Sequence, residues 1–173
     1  MQQLLIQRAL LTAVAAGLGQ VEIWCAPDCS HPFFHACAQR HGIALQQQCD
    51  GDLGLRMRHA LEEAARAGSA ALLIGSDCPA LTPEYLRNAA AALAGGCEAV
   101  YGPAEDGGYG LVGLARRAPD RIFDGIAWGT AGVMRETRLR LAAAGWHWRE
   151  MPLIWDVDRP EDLPRLSRYL EQV

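Results

Sequence analysis

Apolar positions along the chain follow two rhythms: short unbroken runs, and recurrences every three or four residues. Leu4, Leu5, Leu11, Val14 and Leu18 recur mostly at spacings of three, four and seven, which predicts an amphipathic helix over residues 1–19. Residues 21–26 (VEIWCA) read as a strand and 43–48 as a shorter one. Residues 70–75 (AALLIG) form a continuous apolar run closed by glycine, the pattern of a buried parallel strand. Further strands are predicted at 98–101, at 108–114 (GYGLVGL, weakened by its glycines) and at 146–151. Leu53, Met57, Ala60, Leu61 and Ala64 share one helix face, with Asp52 as a cap and Gly68 as a stop. Thr82-Pro83-Glu84 is a helix start: a hydroxyl cap, a proline at the first position and an acid near the positive end of the dipole. That helix stops at Gly95-Gly96, and another runs from Thr130 through Val133, Met134, Thr137 and Leu141 to Gly145. Strands separated by helices predict βαβ units, hence one three-layer α/β domain over 1–173 with a mostly parallel sheet covered on both faces.

Composition changes this picture little. The chain has 173 residues, half of them hydrophobic and 21% charged, with a formal net charge of -4. That balance argues against a nucleic-acid surface, which needs a clustered basic field, but not against a phosphate-bearing small ligand, because a bound cation offsets local acidity. No stretch reaches the length of a transmembrane span. The apolar N-terminal stretch has no preceding positive charge and is interrupted by Arg8, so it reads as a helix and not as a secretory signal. Six cysteines without a CxxC pair fit a reduced cytoplasm. The run from Cys25 to Cys37 holds His31 and His35, yet its spacing matches no common zinc frame, and ordinary loop and helix residues are expected there.

In α/β sheets ligands bind beyond the carboxyl ends of the strands, so the residues just after each strand carry the candidate chemistry. After the 70–75 run, Asp77 in GSDCPAL either holds a divalent cation through hard oxygen or caps a turn. In GPAEDGGY, Glu105 and Asp106 precede Gly107 and Gly108, which makes either a loop that approaches a ligand closely or a plain hairpin turn. In WDVDRPEDL, alternation puts Asp156 and Asp158 on one side of an extended segment, where they suit a cation or complement a helix dipole. Pro160 fits a first helical position, and Pro164 requires a kink or a later start. Arg56 lies about one turn into its helix, placed for a phosphate or carboxylate if not simply solvated.

Taken in order, GSDCPALTPEYL, GPAEDGGYGLVGL, WGTAGVMRET and WDVDRPEDL resemble the bacterial GT-A-type transferases related to 2-phospholactate guanylyltransferase, over essentially the whole chain. The resemblance implies a Rossmann-like, three-layer αβα nucleotide-diphospho-sugar transferase fold using Mg²⁺ or Mn²⁺. It implies Asp77 and Asp158 as the cation-binding acids and Asp106 as the catalytic group that orients or deprotonates an acceptor hydroxyl. Gly107, Gly108 and Tyr109 would shape the acceptor side, with Arg56 and Arg159 available to phosphate. The implied reaction is glycosyl or nucleotidyl transfer from a nucleotide or nucleotide-sugar to a small-molecule acceptor. The pattern departs in three places. The strand and glycine- and lysine-containing nucleotide loop that open family members do not precede the first helix, Arg159 stands where a threonine usually caps, and Gly129 replaces a serine after Trp128. The first departure predicts an unfilled sheet position with unpaired neighbours and a second reading: a shortened, inactive ligand-binding or self-associating module. A dinucleotide-binding module is disfavoured by the absence of GxGxxG after a strand.

Overall fold

The computed structural model describes residues 1–66, 70–118 and 121–171. In chain order the elements are α1 (Gln2–Ala16), β1 (Glu22–Cys25), α2 (Pro32–His41), β2 (Ala44–Gln47), α3 (Leu53–Arg66) and β3 (Ala71–Ile74). They continue with α4 (Pro83–Ala94), β4 (Ala99–Pro103), β5 (Tyr109–Leu114), α5 (Val133–Ala143), β6 (Trp148–Glu150) and α6 (Leu163–Leu170). The expected stop at Gly68 lies outside the described residues.

Two sheets result. β1 and β2 pair in parallel, and a four-stranded sheet has the order β3-β5-β4-β6. β5 runs antiparallel to both β3 and β4, while β6 is parallel to β4. Every strand of the larger sheet except β5 therefore points the same way, and the sheet is mostly parallel by direction. The reversal follows from the linker: the short turn between Pro103 and Tyr109 can close a hairpin but cannot make a crossover. Among the described residues no strand joins the two sheets, so β1 and β3 each keep an unpaired edge. All four β3 residues are accordingly only half-buried.

Alternation along the strands builds the two halves of the core. Leu72, Ile74, Val100 and Leu111 meet Leu86, Ala89 and Leu93 of α4 together with Ala13 and Ala16 of α1. Ala71, Leu73, Ala99, Tyr101, Val112 and Leu114 meet Met57 and Leu61 of α3 and Met134 and Leu141 of α5. Helices thus cover both faces, giving the three expected layers. β5, read as weak from its glycines, is among the most buried strands. A Cβ on Gly110 would run into Cys78 Sγ and come within 2.9 Å of Ile154, and one on Gly113 would come within 2.6 Å of Val100, so these glycines make room for neighbours.

Helix ends follow the local chemistry. Thr82 Oγ1 accepts the Tyr85 N–H at 3.1 Å, and Asp52 accepts the Leu55 N–H at 2.8 Å, both as expected. α5 starts at Val133, after Gly132, because Thr130 Oγ1 donates to the Ala127 carbonyl and closes the preceding loop. A 3-10 turn over Pro160–Asp162 leads into α6, with Pro164 in its first turn, so the helix begins there and does not kink. The N-terminal helix forms, but its covered face differs from the leucine stripe. Leu5, Leu10, Thr12 and Ala16 are buried, whereas Leu4, Leu11, Val14 and Leu18 are exposed. Small Ala13 and Ala16 allow close docking on the alanines of α4, and this contact sets the helix rotation. All six cysteines are free, and among the described residues no cysteine–histidine group is placed to hold a metal. No described helix is long and apolar enough to cross a membrane.

Candidate acidic site

Three chain segments converge beyond the ends of β3 and β4. The first leaves β3 at Gly75, where a Cβ would lie 2.6 Å from Asp77 Oδ1, so the glycine makes space for that carboxylate. The buried Cys78 thiol donates to Asp77 Oδ1 at 3.5 Å, and its burial, then the Asp77 charge, push its pKa up. The Val157 N–H donates to the Asp77 carbonyl at 2.9 Å, which lays the 156–158 segment directly beside Asp77.

The second and third segments extend the parallel pairing of β4 with β6. The Ile154 N–H donates to the Pro103 carbonyl at 2.9 Å, the Glu105 N–H donates to the Ile154 carbonyl at 3.0 Å, and Ala104 bridges Ile154 in parallel. Two residues beyond that matched pair stand Asp106, in the turn that follows β4, and Asp156, with Asp158 two further along and on the same side as Asp156 by alternation. Carboxylate oxygens of Asp106, Asp156 and Asp158 lie within 4.8 Å of one another. Asp106 Oδ1 also accepts the Gly108 N–H at 2.8 Å, so the turn chemistry and the acidic cluster coexist in one residue.

The electrostatics show a shortage of positive charge. Burial, followed by the charges of Asp106, Asp158 and Asp77, pushes the Asp156 carboxyl up to about 6. Asp158 is raised as well, by burial first, then by Asp77 and Asp106, and Arg159 only partly opposes this. Asp162 adds to the same negative field, its charge also raising Asp158, while its Oδ2 accepts the N–H groups of Asp158 and Arg159 at 3.0 and 2.9 Å. All-carboxylate oxygen donors at this spacing, with too little neighbouring positive charge, fit a hard divalent cation such as Mg²⁺ or Mn²⁺.

The other expected residues are placed as follows. Gly107 has φ 92° and sits with its backbone against Ala131, and its carbonyl accepts the Met134 N–H at 2.9 Å. Gly108 closes the same turn. The Tyr109 ring points into the core, edge-on to Tyr101 at 5.0 Å and to Trp128 at 6.3 Å, and burial raises its phenol pKa. Arg56 is half-buried and bound to its own loop: Nε donates to the Gly51 carbonyl at 3.0 Å and Nη1 approaches Gln48 Oε1 at 3.5 Å. Arg159 is exposed beside the acids. Sequence reasoning paired Asp156 with Asp158 by alternation but carried only Asp158 forward as a cation ligand. The sequence pattern marks Glu105 only as the acid beside Asp106 and gives no signal for Trp155 or Arg165. Arg165 makes a bidentate pair with Glu105 at 2.6 and 2.9 Å and holds that carboxyl below its usual range; it also stacks on Trp155 at 4.4 Å.

The three-layer α/β architecture is that of the nucleotide-diphospho-sugar transferase fold, as its likeness to solved structures shows. The chain belongs to the family described as an uncharacterized protein conserved in bacteria (DUF2064), whose pattern matches residues 9–130. It is similar to a protein from Desulfovibrio desulfuricans G20, provisionally assigned as a nucleotide-diphospho-sugar transferase. The identity is 31% over 97% of this chain and 73% of that one, with a TM-score of 0.84. The fold alone is shared with CMP:2-keto-3-deoxy-manno-octonic acid synthetase complexed with CTP (14% identity, 97% and 88% coverage, TM-score 0.63). It is also shared with Rv0371c of Mycobacterium tuberculosis H37Rv (20% identity, 95% and 83% coverage, TM-score 0.56). No curated protein matches the sequence.

Proposed function

We propose that this protein is a cation-dependent transferase that moves a glycosyl or nucleotidyl group from a nucleotide or nucleotide-diphospho-sugar to a small-molecule acceptor. The observation that carries the reading is the set of three carboxylates within 4.8 Å of one another beyond the strand ends, the shifted Asp156 carboxyl among them. Asp106, Asp156 and Asp158 would hold Mg²⁺ or Mn²⁺, with Asp77 alongside. When bound, the cation supplies Lewis-acid neutralisation of charge on phosphate oxygens. Asp106, which the motif resemblance makes the acceptor-side acid, stands in this reading as the third carboxylate of the cation set. Arg159, exposed at the rim, is placed to meet a phosphate. The synthetase of the same fold, held with CTP, supports a nucleotide as one substrate. A closer kinship to 2-phospholactate guanylyltransferase, read from the motifs, would make the transferred group nucleotidyl.

Titration calorimetry with MnCl₂ at neutral pH tests this, followed by melting curves with a panel of nucleoside triphosphates and nucleotide-sugars. One Mn²⁺ site is expected, and at least one nucleotide should raise the melting temperature only when Mn²⁺ is present. At a ligand concentration of about 100 times Kd the stabilisation should approach about 2.7 kcal/mol. Absence of Mn²⁺ binding, or nucleotide binding indifferent to the cation, would remove the proposal.

A further inference from the structure

The acids of the site lie on chain segments beyond the regular strands, so something must hold those segments in register. The Ala104–Ile154 bridge is the last parallel contact before them. Glu105 and Trp155 each come one residue beyond it, and Asp106 and Asp156 come next. Glu105 lies in the same turn as Asp106, and Trp155 directly precedes Asp156 in the facing segment. A single side chain grips both: the Arg165 guanidinium donates to both oxygens of Glu105 at 2.6 and 2.9 Å and lies 4.4 Å over the Trp155 ring. Trp155 is itself fixed, only 8% exposed, packed with Leu5 and Leu166 and edge-on to Tyr169 at 5.7 Å. A planar fork suits this double role, since it can pair bidentately and stack at the same time, which an ammonium cannot do.

We propose that Arg165 is a positioning residue for the acidic site, fixing the spacing of Asp106 against Asp156 by clamping their chain neighbours Glu105 and Trp155 together. The inference rests on the cation reading for its purpose and on the Arg165 geometry for its substance. A bare surface ion pair would do much less. Arg138–Glu150 is such a pair, bidentate at 2.8 and 2.7 Å with comparably exposed side chains, and it contacts neither acid-bearing segment.

Two readouts on the full chain separate the possibilities. In the metal-free protein, amide exchange by NMR follows the Glu105 N–H, which donates to Ile154. Arg165→Ala should speed that exchange by about tenfold, Arg165→Lys should recover part of the protection, and Arg138→Ala should leave it unchanged. In Mn²⁺ calorimetry Arg165→Ala should weaken binding by about tenfold or more, as expected of a residue that orients metal ligands from outside, and Arg138→Ala should not. Unchanged Glu105 protection in Arg165→Ala overturns the proposal, as does faster exchange with undiminished Mn²⁺ affinity. If the parent protein binds no Mn²⁺, the transferase reading fails, and the exchange data alone decide whether the clamp exists.

Discussion

Asp156→Asn is expected to abolish Mn²⁺ binding while raising the melting temperature of the metal-free protein above pH 6. The two effects share one cause. In the folded chain the Asp156 carboxyl is pushed to about 6 from an ordinary 3.8, chiefly by burial and then by Asp106 and Asp158. Between those values the folded state binds more protons than the unfolded one, so stability falls as pH rises through this window and stays reduced above it. Asparagine removes that unfavourable charge, and it also removes the donor that a cation would use. Changes to groups that merely orient metal ligands cost about 10–100-fold in affinity, so loss of a direct ligand should cost at least about 100-fold. Melting curves at pH 5 and 7.5, with and without MnCl₂, provide the check. The parent should gain from Mn²⁺ at pH 7.5 and much less at pH 5, where protons compete, and the variant should gain at neither. A metal-free variant that melts below the parent at pH 7.5 would contradict this account.

Gly107→Ala should be the most damaging single-methyl change near the site. The residue has φ 92°, and an added Cβ would lie 2.6 and 2.7 Å from the Cα and carbonyl carbon of Ala131. Both obstacles are main chain, so no side-chain rotation can relieve them. Overpacking and the left-handed backbone together should cost about 3 kcal/mol. For a chain of this size that lowers the melting temperature by about 6–12 °C. Gly129→Ala is the matched control, since φ there is 76° but nothing lies within 4 Å of the added atom. Only the backbone penalty should remain, with a correspondingly smaller drop in a thermal melt. Equal losses at the two positions would show that crowding against Ala131 is not what makes Gly107 irreplaceable.

Several features of the fold were legible because local chemistry and tertiary context agree. The AALLIG run becomes β3, and Thr82 caps α4 through its hydroxyl. What escaped depends on long-range contacts. The glycines of 108–114 looked like a weakness until Cys78, Ile154, Leu72 and Val100 were seen to fill the space they leave. The periodicity of the first helix predicts the element, yet spacing alone cannot say that Leu5, Leu10, Ala13 and Ala16 dock while Leu4, Leu11, Val14 and Leu18 stay outside. At the site, alternation within Asp-Val-Asp already put Asp156 and Asp158 together. That Asp106 joins them requires the register of Ala104 with Ile154, a pairing between residues far apart in the chain. Arg165 was invisible for the same reason: its partners lie in two other segments.

The separation of the sheets has a practical consequence. The β1–α2–β2 corner hydrogen-bonds as strands only within itself among the described residues, and it leans on the remainder through side chains such as Trp24, edge-on to His59 at 5.5 Å. Such a unit can swing out without melting the larger sheet, with an opening free energy below that of global unfolding. Brief digestion under native conditions should therefore nick the chain first at the two links that flank the corner, around residues 17–21 and 48–52, and the four-stranded sheet with α1 docked on it should outlast the corner it has shed.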